Sequence, residues 1–78
     1  MTPEQAFGQV LRELRTERGW SQERLEAVSG CSRPHLSRLE TGRNSPTLSM
    51  FFQLADALKA EPTDIIARIV AKLRDPNR

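Results

Sequence analysis

Apolar residues along this chain recur at intervals of three and four, and the breaks between runs carry helix caps and Gly or Pro, which predicts five helices and no strand. The first helix opens near Pro3, with Glu4 favouring the positive helix end, and sets Phe7, Val10, Leu11 and Leu14 within a ~100° stripe. It stops at Gly19. Ser21 caps the second helix, where Trp20 before the cap and Leu25 four residues after it are spaced for a hydrophobic staple. Arg24 stands where a reciprocal capping box would need Glu or Gln. The second helix ends by Gly30, whose tolerance of positive φ permits a sharp turn at Gly30-Cys31-Ser32.

Ser32 caps the third helix, and Pro34, two places after the cap, has a missing amide proton that does no harm there. This helix runs to about Thr41, buries Leu36 and Leu39, and is closed by Gly42 before the polar loop Arg43-Asn44-Ser45-Pro46. Thr47 caps a fourth helix of roughly Leu48 to Leu58. The fifth lies within Pro62 to Leu73 and spreads Ile65, Ile66, Ile69, Val70 and Leu73 across a ~140° arc, more apolar surface than a terminal helix needs for its own domain. Asp75-Pro76-Asn77-Arg78 is expected to fray.

Two short helices joined by a Gly turn, the second with a polar, arginine-bearing outer face, form a geometry that lets one helix enter a DNA major groove. With Leu36 and Leu39 facing inward and ~100° per residue, the opposite face of helix three presents Pro34, Ser37, Arg38 and Thr41, and Arg33 lies at the exposed helix start. An Arg there can bond two acceptors of guanine at once, worth roughly 1–3 kcal/mol of discrimination, so Arg33 and Arg38 are the expected base readers. The free amides at the starts of helices two and three, with Gln22 nearby, offer phosphate contacts that fix register without reading sequence. Ser32 joins that set beside its capping role. Arg43, Asn44 and Ser45 are placed to clamp the adjoining backbone.

Charge and length narrow the picture. The 78 residues suit a single domain with a modest core, to which the one Trp, Trp20, and all three Phe, Phe7, Phe51 and Phe52, should contribute. Twelve Lys and Arg against ten Asp and Glu leave a net charge of only +2, so a nucleic-acid reading must rest on where the arginines sit. Ten of the twelve are Arg, the side chain whose planar fork suits phosphate and guanine. A single Cys and a single His fall short of a disulfide or a structural zinc site. Cys31 is expected to pack in the turn as a small apolar residue, and His35 to lie at the side of helix three. No charged-then-apolar leader or long apolar run is seen, so a cytoplasmic place without membrane contact is expected. No carboxylate pair, His-Cys couple or phosphate-cradling Gly loop is spaced for catalysis, and neither a cofactor nor a small-molecule ligand is expected.

In their order and spacing, Leu11-Arg12-x-Leu14-Arg15, Ser21-Gln22-Glu23-x-Leu25, Gly30-x-Ser32-Arg33, Leu36-Ser37-Arg38-Leu39-Glu40-x-Gly42-Arg43 and Leu54-Ala55-x-Ala57-Leu58 resemble the Cro/repressor-type (XRE) helix-turn-helix family, over about residues 5 to 66. The resemblance implies an all-α, five-helix, lambda-repressor-like domain whose helix-turn-helix spans about 21–41. It also implies base contacts at Arg33, Pro34, Ser37 and Arg38, phosphate contacts at Gln22, Arg43 and Asn44, and a partly buried ion pair of Arg15 with Glu40. Three residues depart from the family pattern. Glu26 stands where a small Ala usually sits at the crossing of helices two and three, so it must lean to solvent, turn toward an Arg, or widen the crossing. Lys59 replaces the usual Gly after helix four, and Pro34 removes one polar reader.

The surplus apolar arc of helix five calls for a partner. A second copy covering Ile66, Ile69, Val70 and Leu73, with Phe52, is the expected solution, and it would set two third helices about one DNA turn apart on an inverted repeat. Regulation of transcription by a homodimer, most simply repression or autoregulation in the manner of restriction-modification controller proteins, is therefore the expected function. The competing expectation is an antitoxin-like module that engages a different protein through the same face.

Overall fold

The computed structural model describes residues 1–75, and five helices with no strand are found among them: α1 Pro3–Glu17, α2 Gln22–Ser29, α3 Arg33–Glu40, α4 Leu48–Ala57 and α5 Pro62–Arg74. Asp75 ends α5, and the rest of the tail expected to fray lies outside the described residues. Four helix starts carry side-chain caps: Thr2, Ser21, Ser32 and Thr47 accept from the amides of Gln5, Arg24, His35 and Met50. At α1 the cap is reciprocal, because Gln5 Oε1 in turn accepts the Thr2 amide at 2.9 Å, a full capping box.

Three helices end alike. After α1, α3 and α4 a residue of positive φ lets the chain fold back so that two amides satisfy the last carbonyls, the arrangement in which Gly is favoured. Gly19 and Gly42 serve α1 and α3, at φ 69° and 77°. Lys59 serves α4 at φ 52°, with its amide on the Asp56 carbonyl and that of Ala60 on the Ala55 carbonyl. The departure at Lys59 thus leaves the turn itself unchanged.

Helix α1 packs on both α3 and α5, α2 packs on α3 and α4, and α4 closes against α5. Between them Leu11, Leu25, Leu36, Leu39, Leu54 and Leu58 are fully buried, with Phe7, Val10, Cys31, Phe51 and Ile65 around them. Trp20 covers this core from the α1–α2 turn, half-buried, with the guanidinium groups of Arg18 and Arg24 at 5.5 and 5.6 Å from its ring. The α1–α3 crossing is close because Gly8 has no side chain: a Cβ there would stand 2.7 Å from the Glu40 carbonyl oxygen. A polar seam flanks the α1–α5 contact, where Lys72 meets Glu13 at 2.6 Å and Arg68 meets Glu17 at 2.9 Å.

Candidate nucleic-acid interface

The α2-turn-α3 unit is set by its turn. Gly30 sits at φ 77°, and its amide closes on the Glu26 carbonyl at 2.8 Å. Cys31, 2% exposed, then anchors the turn in the core. Burial, and secondarily the negative charge of Glu26, push the Cys31 thiol above its ordinary pKa, which disfavours the reactive thiolate. Ser29 is buried beside it, accepting the Cys31 amide on its hydroxyl at 3.1 Å and the Gln53 side-chain amide on its carbonyl.

With Leu36 and Leu39 turned inward, Arg33, Pro34, Ser37 and Arg38 are all exposed on the outer face of α3. Gln22 from the start of α2 joins Arg33, Pro34 and Ser37 in lining one groove. Thr41 also points outward, but its hydroxyl donates back to the Ser37 carbonyl at 3.0 Å. His35 is half-buried to one side.

The start of α3 narrows one expectation. Its first three helical positions have no amide to spare for a phosphate: Pro34 has none, the His35 amide goes to the Ser32 hydroxyl at 3.4 Å, and the Arg33 amide goes to the Glu26 carboxylate at 3.1 Å. Glu26 leans neither to solvent nor to an Arg side chain; it caps the next helix with a negative charge at its positive end. Local spacing could not show this, because the contact spans seven residues and exists only once α2 and α3 cross. Ser32 still keeps its hydroxyl proton to donate. At α2 the side-chain cap reaches only Arg24, so the amides of Gln22 and Glu23 keep their place at the open helix end.

Behind the groove lies the ion pair implied by the family resemblance. Arg15 Nε and Nη2 meet the two oxygens of Glu40 at 2.7 and 2.9 Å, and Nη1 donates to the Trp20 carbonyl at 2.7 Å. Their side chains are 12% and 5% exposed, and the hydrogen bond to Glu40 holds the Arg15 guanidinium in its charged form against the opposing effect of burial. Gln22 Nε2 donates to the same carboxylate at 3.2 Å. One amide proton of Gln22 is thereby tied to the scaffold, and a second remains to face outward.

Beyond α3, Arg43 and Ser45 are exposed and Asn44 is half-buried. The amides of Arg43 and Asn44 both donate to the Arg38 carbonyl, at 2.9 and 3.2 Å. The Asn44 amide, in the orientation that satisfies both its neighbours, accepts from Arg38 Nε at 3.0 Å and donates to the Arg43 carbonyl at 3.0 Å.

A second surface lies on α4 and α5. Phe52, Ile66 and Leu73 are 52%, 48% and 39% exposed, whereas Val70 is half-buried and Ile69 packs partly against the core. Leu48, at 74%, is more exposed than any of them and was not singled out from the sequence, although it stands one turn before Phe52 on α4. Leu48 and Ile66 border an apolar groove floored by Phe7, Phe51 and Ile69. Among the described residues no cluster of metal-ligating side chains is found, and no helix is long and apolar enough to cross a membrane.

Comparison with known proteins agrees with this architecture. A family model described as a helix-turn-helix domain matches residues 6–66. An HTH-type transcriptional regulator of Sinorhizobium fredii, y4dJ, is 41% identical over 59 residues, 76% of this chain and 77% of its own length. Among solved structures, the restriction-modification controller protein C.AhdI of Aeromonas hydrophila is 42% identical with a TM-score of 0.76, covering 80% of this chain and 94% of the other. The clp gene regulator ClgR of Corynebacterium glutamicum is 26% identical with a TM-score of 0.88, covering 94% and 95%. With the α2-turn-α3 unit inside the matched span and its polar face turned outward, this chain belongs to the XRE-type helix-turn-helix family of DNA-binding transcriptional regulators.

Proposed function

We propose that the chain acts in the cytoplasm as a homodimer that binds an inverted-repeat operator and regulates transcription there, most simply by repression or autoregulation, as a controller-type regulator. The observation that carries this reading is the outer face of α3: Arg33, Pro34 and Ser37 line a groove with Gln22, and Arg38 stays exposed one turn further along. Arg33 and Arg38 read bases through their guanidinium forks, with Ser37 and Pro34 in contact beside them. Gln22 and Ser32 on one side, and Arg43 and Ser45 on the other, hold phosphates and fix the register of α3 in the groove. The exposed face of Leu48, Phe52, Ile66 and Leu73, with the adjoining parts of Ile69 and Val70, joins the two copies.

Selection of bound sequences from a random DNA pool, followed by titration of the winner over a range of salt, tests the reading. A two-fold symmetric motif bound far above random DNA is expected. On that motif Arg33→Ala and Arg38→Ala each relax base preference, whereas Arg43→Ala weakens every sequence similarly and lowers the salt slope by about one unit. Failure to enrich any motif would move the assignment to a module that binds another protein through the α4–α5 face.

A further inference from the structure

The loop that follows α3 is folded back onto the residue expected to read a base. Gly42 turns the chain at φ 77° and lies so close to α1 that a Cβ would stand 2.8 Å from Gln5 Cγ and 3.0 Å from Gln5 Cα. The loop therefore has little room to shift. From that anchored turn the amides of Arg43 and Asn44 close on the Arg38 carbonyl, and the Asn44 side chain reaches Arg38 Nε at 3.0 Å while bracing itself on the Arg43 carbonyl at 3.0 Å. Of the three loop residues placed for phosphate, Asn44 is the half-buried one, and its amide is engaged within the protein.

We propose that Asn44 is a positioning residue for Arg38, holding the guanidinium by Nε so that its two terminal nitrogens face the base. The inference rests on the base-reading role proposed above for Arg38. Its physical content is entropic and geometric. An exposed Arg samples many rotamers and must give them up on binding, whereas an Arg already held at Nε presents a planar fork whose direction is set beforehand. A supporting hydrogen bond of this kind sharpens recognition without touching the DNA. A phosphate contact by the same Asn44 would act differently, adding affinity on every sequence alike.

Four proteins compared on the preferred site, and on sites carrying single base changes, separate these roles: the natural chain, Asn44→Ala, Arg38→Ala and the double variant. Asn44→Ala is expected to weaken the preferred site by roughly three- to tenfold, the range that follows from freeing one long side chain. The loss is confined to the base pair at which Arg38→Ala also acts, the salt slope is unchanged, and Asn44→Ala adds nothing once Arg38 is gone. A loss spread evenly over all sequences, with a smaller salt slope and additivity with Arg38→Ala, overturns the inference and leaves the base-reader assignment standing. An Arg38→Ala chain with unaltered base preference overturns that assignment and the inference with it. Nuclear relaxation of the Arg38 Nε–H bond in the free protein gives a readout independent of DNA: it is ordered in the natural chain and mobile in Asn44→Ala, with Arg33 unaffected, and equal mobility in both proteins also overturns the inference.

Discussion

Lys59 occupies the left-handed backbone region at φ 52°, where two other helix ends of the same design use glycine. An L-residue held there is strained by roughly 1–2 kcal/mol, and glycine's larger unfolded-state entropy offsets about 0.5–1 of that, so Lys59→Gly should raise stability by roughly 0.5–1 kcal/mol. Urea unfolding checks it, and an unchanged or lowered midpoint would refute the strain. Glu26 presents the opposite situation, since an unexpected residue there supplies a contact the fold can use. Its carboxylate receives the Arg33 amide at the positive end of α3, so Glu26→Ala, which installs the residue usual in the family, should cost about 0.5–2 kcal/mol, the range for loss of a helix cap. The same change removes a negative charge beside the groove lined by Arg33 and should tighten binding to every DNA sequence. Thermal unfolding and titration with random duplex DNA would then move in opposite directions, and a chain that loses both stability and affinity would contradict this account.

Between elements, the decisive contact is the α1–α3 crossing at Gly8, because α3 can present its outer face only if α1 lies close behind it. In an isolated helix Gly8→Ala would gain about 1 kcal/mol of propensity, but here the new Cβ would stand 2.7 Å from the Glu40 carbonyl oxygen and 2.9 Å from its carbonyl carbon, which are backbone atoms that cannot rotate away. Overpacking of that kind costs typically 1–3 kcal/mol, so net destabilisation is expected, with the Arg15–Glu40 pair pulled out of register. An Ala variant as stable as the natural chain would show that the crossing yields. Gly8 also marks a limit of sequence reading. The five helices, the caps at Ser21, Ser32 and Thr47, the burial of Leu36 and Leu39 and the exposure of Arg33 and Arg38 were legible, because each depends on periodicity or on local hydrogen bonding. The close approach at Gly8, the Glu26 cap and the Asn44–Arg38 bond were not, since each joins residues that only the packing of separate helices or the return of a loop brings together. A glycine inside a strongly helical run was the one local sign available for the first of these.

Seen whole, the molecule is 36 Å along its longest axis and presents two faces: the polar outer surface of α3, and the apolar strip of α4 and α5. One copy covers its own core with Ile65 and part of Ile69, yet leaves Leu48, Phe52, Ile66 and Leu73 in water, an arrangement more costly for a small domain than a dispersed set of the same residues. If two copies join through that strip, an inverted repeat requires their third helices to stand about 34 Å apart, one turn of DNA. Choice of residue matters for testing this. Ile69→Glu would bury a charge against the core and so would confuse loss of pairing with loss of folding, as its position against Phe51 and Phe7 implies. Ile66, 48% exposed, is the cleaner probe. Ile66→Glu is expected to give a chain with the natural helical circular dichroism and a cooperative melt, half the mass by light scattering, and operator binding weakened far more than binding to a single half-site. If the natural chain is already a monomer, or if Ile66→Glu keeps the mass of a dimer, the α4–α5 strip does not join two copies.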